Sequence, residues 1–248
     1  LRVQRAYQDA QLARADRPVI SQTNIVVAEP MPGEVDLRDE FLSRLDPKLA
    51  ELVTRIFNDM DMAGELGYLL RIDELIHESI RKIYPQAGGV FEEQDESRWA
   101  QAFADLSRAL EDFTHSTSSQ TFTRQLFKGE AARGLGFIEI CSHRYDTILM
   151  NPPFGAFSVG TRDWVRSSYP RTKNDIYAAF VERGIEILHP RGHLGAITSR
   201  TGFFLSSFQK WREEILLKEA PPVVVADLGY GVMDDAMVEA AAYCLEVI

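Results

Sequence analysis

Cysteine, long apolar runs and positive charge are all scarce in this sequence, and each scarcity closes off a class of protein. The two cysteines, Cys141 and Cys244, stand apart among apolar neighbours, which fits reduced core thiols and leaves no disulfide framework. No stretch approaches the roughly 18 apolar residues of a membrane span, and the first residues do not read as a charged-then-apolar leader, so the expected compartment is the cytoplasm. With 27 Lys and Arg against 37 Asp and Glu the net charge is -10, the wrong sign for binding nucleic acid across a whole surface. Any such binding needs a local basic patch or a separate domain. His77, His115, His143, His189 and His193 show no ligand spacing with one another or with the cysteines, so no metal is expected. Ser199 and His193 lack both a nucleophile-elbow sequence and an orienting acid, which argues against a hydrolase.

What is present is enough for a core: 45% of the 248 residues are hydrophobic, room for one large domain or two small ones. Residues 1–14 read as a helix ended by Asp16-Arg17-Pro18, and a start at Leu1, already inside that pattern, is expected of an internal piece of a longer protein. Residues 24–29 read as a short strand finishing on Glu29, with Pro30-Met31-Pro32-Gly33 as its exit turn. A strand-end acid is placed to accept a hydrogen bond from a nucleotide's amino group, and a plain solvated carboxylate is the alternative. Residues 36–113 are almost wholly helical in pattern, with stripes such as Leu49, Leu52, Val53, Ile56, Phe57 and Met60, broken at Gly64 and Gly67 and again at 85–89. The stretch 115–120 reads as a polar linker. Arg124, Lys128 and Arg133 with Gly134-Leu135-Gly136 match no phosphate-loop spacing and read as a loop.

The most informative stretch is Asn151-Pro152-Pro153-Phe154, which follows the apolar run 145–150, read as a short buried strand. Two consecutive prolines fix φ and remove two backbone donors, so the loop keeps its shape without a ligand. It offers acceptors on a stiff frame, the Asn151 side-chain oxygen and the Pro152 carbonyl, beside the flat face of Phe154. Two acceptors holding the hydrogens of an aromatic amine favour the localised lone pair that develops as its nitrogen attacks a methyl group. A proline turn with no chemistry is the plain alternative. Downstream, Arg162, Arg166, Arg171 and Lys173 interleave with Trp164 and Tyr169, as suits a mobile loop closing over a nucleotide and its phosphates; an exposed basic loop without a ligand is the other reading.

Asn174-Asp175 then caps a helix striped by Ile176, Phe180, Ile185 and Leu188. A strand over 193–198, a helix over 208–217 and a strand over 223–227 follow, an alternation that predicts a parallel, doubly wound sheet. Asp227-Leu228-Gly229-Tyr230-Gly231 imitates a cofactor loop, but 240–248 reads as a return strand closing a hairpin, and that reading is preferred.

The tetrapeptide resembles the (Asp/Asn/Ser)-Pro-Pro-(Tyr/Phe) signature of amino-group methyltransferases that use S-adenosylmethionine (SAM), in the form seen in adenine-N6 DNA methylases. The order from 145 onward looks like the large methylases of type IIG restriction-modification and BREX-like phage defence. The resemblance covers about two-thirds of the chain. It implies an α/β fold, part of a doubly wound Rossmann-like SAM methyltransferase sheet with an inserted helical segment: 1–33 a remnant of the SAM-binding half, 34–135 the insertion, and 136–248 the catalytic half. It further implies DNA as partner and catalysis by Asn151, Pro152, Pro153 and Phe154; beside it, the basic residues Arg162, Arg166, Arg171 and Lys173 are the candidate substrate contacts. Glu29 is implied at the adenine of SAM, and target recognition lies beyond Ile248. The family's SAM-binding glycine loop is missing from its place upstream of 24. RNA adenine or a protein glutamine stay open as methyl acceptors, as does a silent, methylase-like binding fragment.

Overall fold

The computed structural model describes residues 25–83, 91–115, 121–232 and 238–248. The helix expected over 1–14 and the breaks expected at 85–89 and within 116–120 lie outside them. Among the described residues five longer helices come first, α1 (Val35–Ser43), α2 (Pro47–Asp59), α3 (Ile72–Ile83), α4 (Phe91–His115) and α5 (Thr121–Ser142), with a four-residue helix at Ala63–Leu66 between α2 and α3. Helix α2 starts where Asp46 accepts a hydrogen bond from the Lys48 backbone N–H at 2.9 Å and Pro47 takes the first helical position. Its expected stripe is buried throughout, and Gly67, at φ +51°, closes the turns of 60–69 that follow. Phe41, Phe113 and Phe127 meet with ring centroids 5.3–5.9 Å apart, tying α1, α4 and α5 into one core.

The sheet follows: β1 (Tyr145–Met150), helices α6 (Arg162–Ser168) and α7 (Ile176–Glu186), β2 (Leu188–Ser199), β3 (Pro222–Gly229) and β4 (Ala240–Glu246). Its order is β1-β2-β4-β3. β1 and β2 run parallel across α7, whereas β4 is antiparallel to both β2 and β3, so β3 and β4 form the expected closing hairpin. The chain is therefore mixed α/β. Leu194, Ala196, Tyr243 and Leu245 point into a second core beneath Tyr177, Val181, Trp211 and Ile215.

Four expectations are corrected. β1 is not buried: it is an edge strand among the described residues, and Leu149 is 82% exposed. The stretch 25–34 is not a strand, because among the described residues no other strand lies beside it to take its hydrogen bonds. It runs extended over the helices, with Val26 and Ala28 packed against their core. Gly134-Leu135-Gly136 is not a loop but part of α5, where Gly134 serves close approach: a Cβ there would collide with the Met31 sulfur. The helix expected over 208–217 is a 3-10 turn at Ser206–Phe208 followed by a π-helix at Trp211–Leu216.

Candidate active site

The tetrapeptide leaves the carboxyl end of β1, where ligands bind in sheets of this kind. Pro152 is buried and anchors the loop, whereas Asn151 and Pro153 are exposed and Phe154 is half-buried. Gly155 follows at φ +110°, a conformation open to glycine, and its carbonyl accepts a hydrogen bond from the Ile176 backbone N–H at 3.0 Å. The first turn of α7 thus clamps the loop's far end. Asp175 caps that turn, accepting from the Tyr177 N–H at 3.2 Å. Burial pushes its carboxyl above the usual carboxylate range, against the pull of the backbone N–H groups of Tyr177, Gly155 and Ile176.

Behind Phe154 stands an aromatic wall. The Tyr177 ring meets it edge-on at 6.2 Å and stacks on Phe208 at 5.4 Å, and Trp211 meets Tyr177 edge-on in turn. Phe203 bridges Trp211 to Tyr243. A shallow hollow of about 500 Å³ opens beside Asn151, lined by Leu149, Gly195, Ile197 and Ala242.

A second hollow, of about 450 Å³, is lined by Phe157, Arg162, Arg166, Lys173 and Asn174. Three of the four cations singled out in the sequence therefore share one concavity. Asn174 is held there by donating to the Ser207 carbonyl at 2.8 Å. Arg171 does not join them. Its guanidinium is taken up by Glu182, at 2.9 Å, and by Glu219, so its work is to tie the loop to α7 and to the segment before β3. Glu29 is also elsewhere: it lies on the extended stretch over the helices, ion-paired with Arg133 at 3.3 Å.

Sequence reasoning did not single out Tyr177, Ser158 or Glu65. Tyr177 carried a signal in its place two residues after a capping aspartate, on the inward face of the first turn. The partners of Ser158 and Glu65, 93 residues apart, carried none. Cys141 is a core thiol as expected, pushed up to about 12 by burial. Among the described residues no group of three or more His, Cys, Asp or Glu could hold a metal, and no helix is long and apolar enough to cross a membrane.

The proline-stiffened loop thus stands at the end of a parallel strand, backed by aromatics and flanked by a basic hollow. Residues 48–229 match the model of the Eco57I restriction-modification methylases, and the chain belongs to that family. It is 24% identical over 128 residues to the adenine-specific methyltransferase BrxX of Escherichia coli O9:H4 (strain HS), covering 48% of this chain and 10% of that protein. With the adenine-specific methyltransferase PglX of Lacticaseibacillus casei (strain Zhang) it shares 32% over 91 residues, 36% of this chain and 7% of that one. The chain thus spans about a tenth or less of these relatives. A Listeria monocytogenes chain described as a class I SAM-dependent methyltransferase overlaps 82% of this chain and 88% of its own length, at 13% identity and a TM-score of 0.36.

Proposed function

We propose that this chain is the catalytic part of an adenine-N6 DNA methyltransferase, with DNA as its partner and the cytoplasm as its compartment. The observation that carries the reading is Asn151-Pro152-Pro153-Phe154 at the carboxyl end of β1, stiff at its centre and clamped at Gly155 by α7. Adenine is turned out of the duplex and laid on Phe154, whose tilt is set by Tyr177. Its amino hydrogens go to the Asn151 side-chain oxygen and the Pro152 carbonyl. Two acceptors on a proline-stiffened loop favour the localised lone pair with little reorganisation as it forms. Arg162, Arg166 and Lys173 line the adjoining hollow and take backbone phosphates, which orient the strand without reading sequence. Arg171 braces the same loop.

SAM is the methyl donor the family implies, supplying an electrophilic methyl group. The described residues do not by themselves build its pocket. Glu29 is engaged by Arg133, and Gly229 and Gly231, both at positive φ, belong to the turn leaving β3 toward the hairpin strand β4. In this reading 34–135 is a helical insertion between a remnant of the SAM-binding half (1–33) and the catalytic half (136–248). Helix α5 crosses the second boundary and joins the two continuously.

The test is base-resolved detection of N6-methyladenine in DNA from cells expressing the full-length parent and its Asn151→Ala form. A mark in one sequence context, reduced about 100-fold or more in the variant, is expected from loss of a preorganised acceptor. No mark with either protein would move the reading to an RNA adenine, a protein glutamine or a silent relative.

A further inference from the structure

Helix α6 carries Arg162 and Arg166 one turn apart, and on the stripe next to them Val165 and Tyr169, the residue that ends the helix, are fully buried. The stretch 65–71 of the helical segment meets the α6 segment at both ends. At the amino end the Ser158 hydroxyl donates to Glu65 Oε2 at 2.8 Å, and the Ser158 oxygen accepts from the Thr161 N–H at 3.2 Å, shaping the turn into the helix. The Ser158 carbonyl accepts from the Arg162 N–H at 3.1 Å. At the carboxyl end the Tyr169 hydroxyl donates to the Leu69 carbonyl at 2.7 Å, and the Arg71 guanidinium lies 4.5 Å over the Tyr169 ring.

The mount is itself fixed. Arg71 is ion-paired to Glu186 on α7, and Arg183, only 1% exposed, reaches both Asp73 and Glu186. Burial pushes the Glu186 carboxyl upward, against the pull of Arg71 and Arg183. Helix α7 therefore holds the Asn151 loop through Gly155 and the α6 mount through Glu186 and Arg183. The loop read as mobile is docked at two points in this structure.

We propose that Glu65 and Tyr169 are positioning residues that set Arg162 and Arg166 at the depth and orientation needed to take DNA phosphates, making the helical segment part of the DNA-binding apparatus. This rests on the reading of the chain as a DNA methylase. A seven-residue helix has little stability of its own, so releasing both ends lets it drift from the hollow.

The readout is the salt dependence of duplex binding, because each phosphate contact contributes about 0.9 to the slope of log K against log salt. With full-length parent and a mixed-sequence duplex, Arg162→Gln with Arg166→Gln is expected to lower that slope by about 1.8. Glu65→Ala with Tyr169→Phe is expected to lower it comparably while leaving the unfolding midpoint near wild type, and to add nothing when combined with the arginine pair. Glu65→Gln, which still accepts from Ser158, is expected to restore most of the slope. An unchanged slope in the Glu65/Tyr169 variant beside a lowered one in the arginine pair overturns the proposal, as does an arginine pair with no effect. Intact slope changes in a parent that leaves no N6-methyladenine would overturn the methylase reading and leave the mount standing.

Discussion

On one face of the sheet Leu194, Ala196, Tyr243 and Leu245 lie buried beneath Tyr177, Trp211 and Ile215; on the other, Leu149, Gly195 and Cys244 follow one another across β1, β2 and β4 with little above them. The strands are the same and only the side-chain parity differs, since neighbouring residues point to opposite faces. Among the described residues the helices thus cover one face of the sheet and leave the other exposed. The aromatic wall that tilts Phe154 belongs to the covered face, so folding and site geometry draw on the same contacts.

The sharpest way to expose that difference is to remove the wall's centre. Trp211→Ala is expected to cost about 3–5 kcal/mol in urea unfolding of the 248-residue chain, as large aromatic truncations in a core do. Gly202→Ala comes next, because its Cβ would meet the Tyr177 hydroxyl oxygen at 2.5 Å and the Trp211 ring at 2.9 Å. Overpacking of that kind costs about 1–3 kcal/mol. Gly195→Ala makes the matching test on the open face: its Cβ would crowd the Leu149 Cδ2 at 2.7 Å, but that side chain is free to swing into solvent. A cost within about 0.5 kcal/mol is expected. Equal costs for the two glycines would mean the open face is packed in solution.

The smallest effect concerns pH. Asp175 has its folded-state pKa raised by burial, so ionising it disfavours the folded state, and its contribution to stability falls as pH rises from the unfolded value upward. Asp175→Asn keeps the cap without the charge. Its stability relative to wild type is expected to increase as pH rises through the carboxylate range, and a flat or falling difference would remove burial as the cause.

Local features were legible where short-range chemistry decides the structure. β1 appears over 145–150 as read, Asp175 caps α7, and β3 with β4 makes the hairpin. The acceptor loop was legible because two prolines leave it few conformations. Failures came where distant partners decide. Residues 24–29 have strand composition, yet 25–34 lie on helices, and among the described residues no strand lies alongside them. Gly134-Leu135-Gly136 read as a loop because nothing local reveals that Met31 presses on Gly134. Arg171 looked like its basic neighbours, and only the fold brings Glu182 and Glu219 to it. The latch of Ser158 on Glu65 spans 93 residues and could not be read from spacing.

β1 has a further consequence, for handling rather than for chemistry. Among the described residues it pairs with β2 alone, so one row of its N–H and C=O groups faces outward, and Asp146 is the one charged side chain along it. Proteins usually blunt such an edge with lysine, proline or a bulge; β1 has a register irregularity between Tyr145 and Thr147 but neither lysine nor proline, and such an edge can template the strand of another molecule. Taken by itself, the chain is expected to self-associate edge to edge as its concentration rises, and a Thr147→Lys substitution on the open face to slow that growth in light scattering.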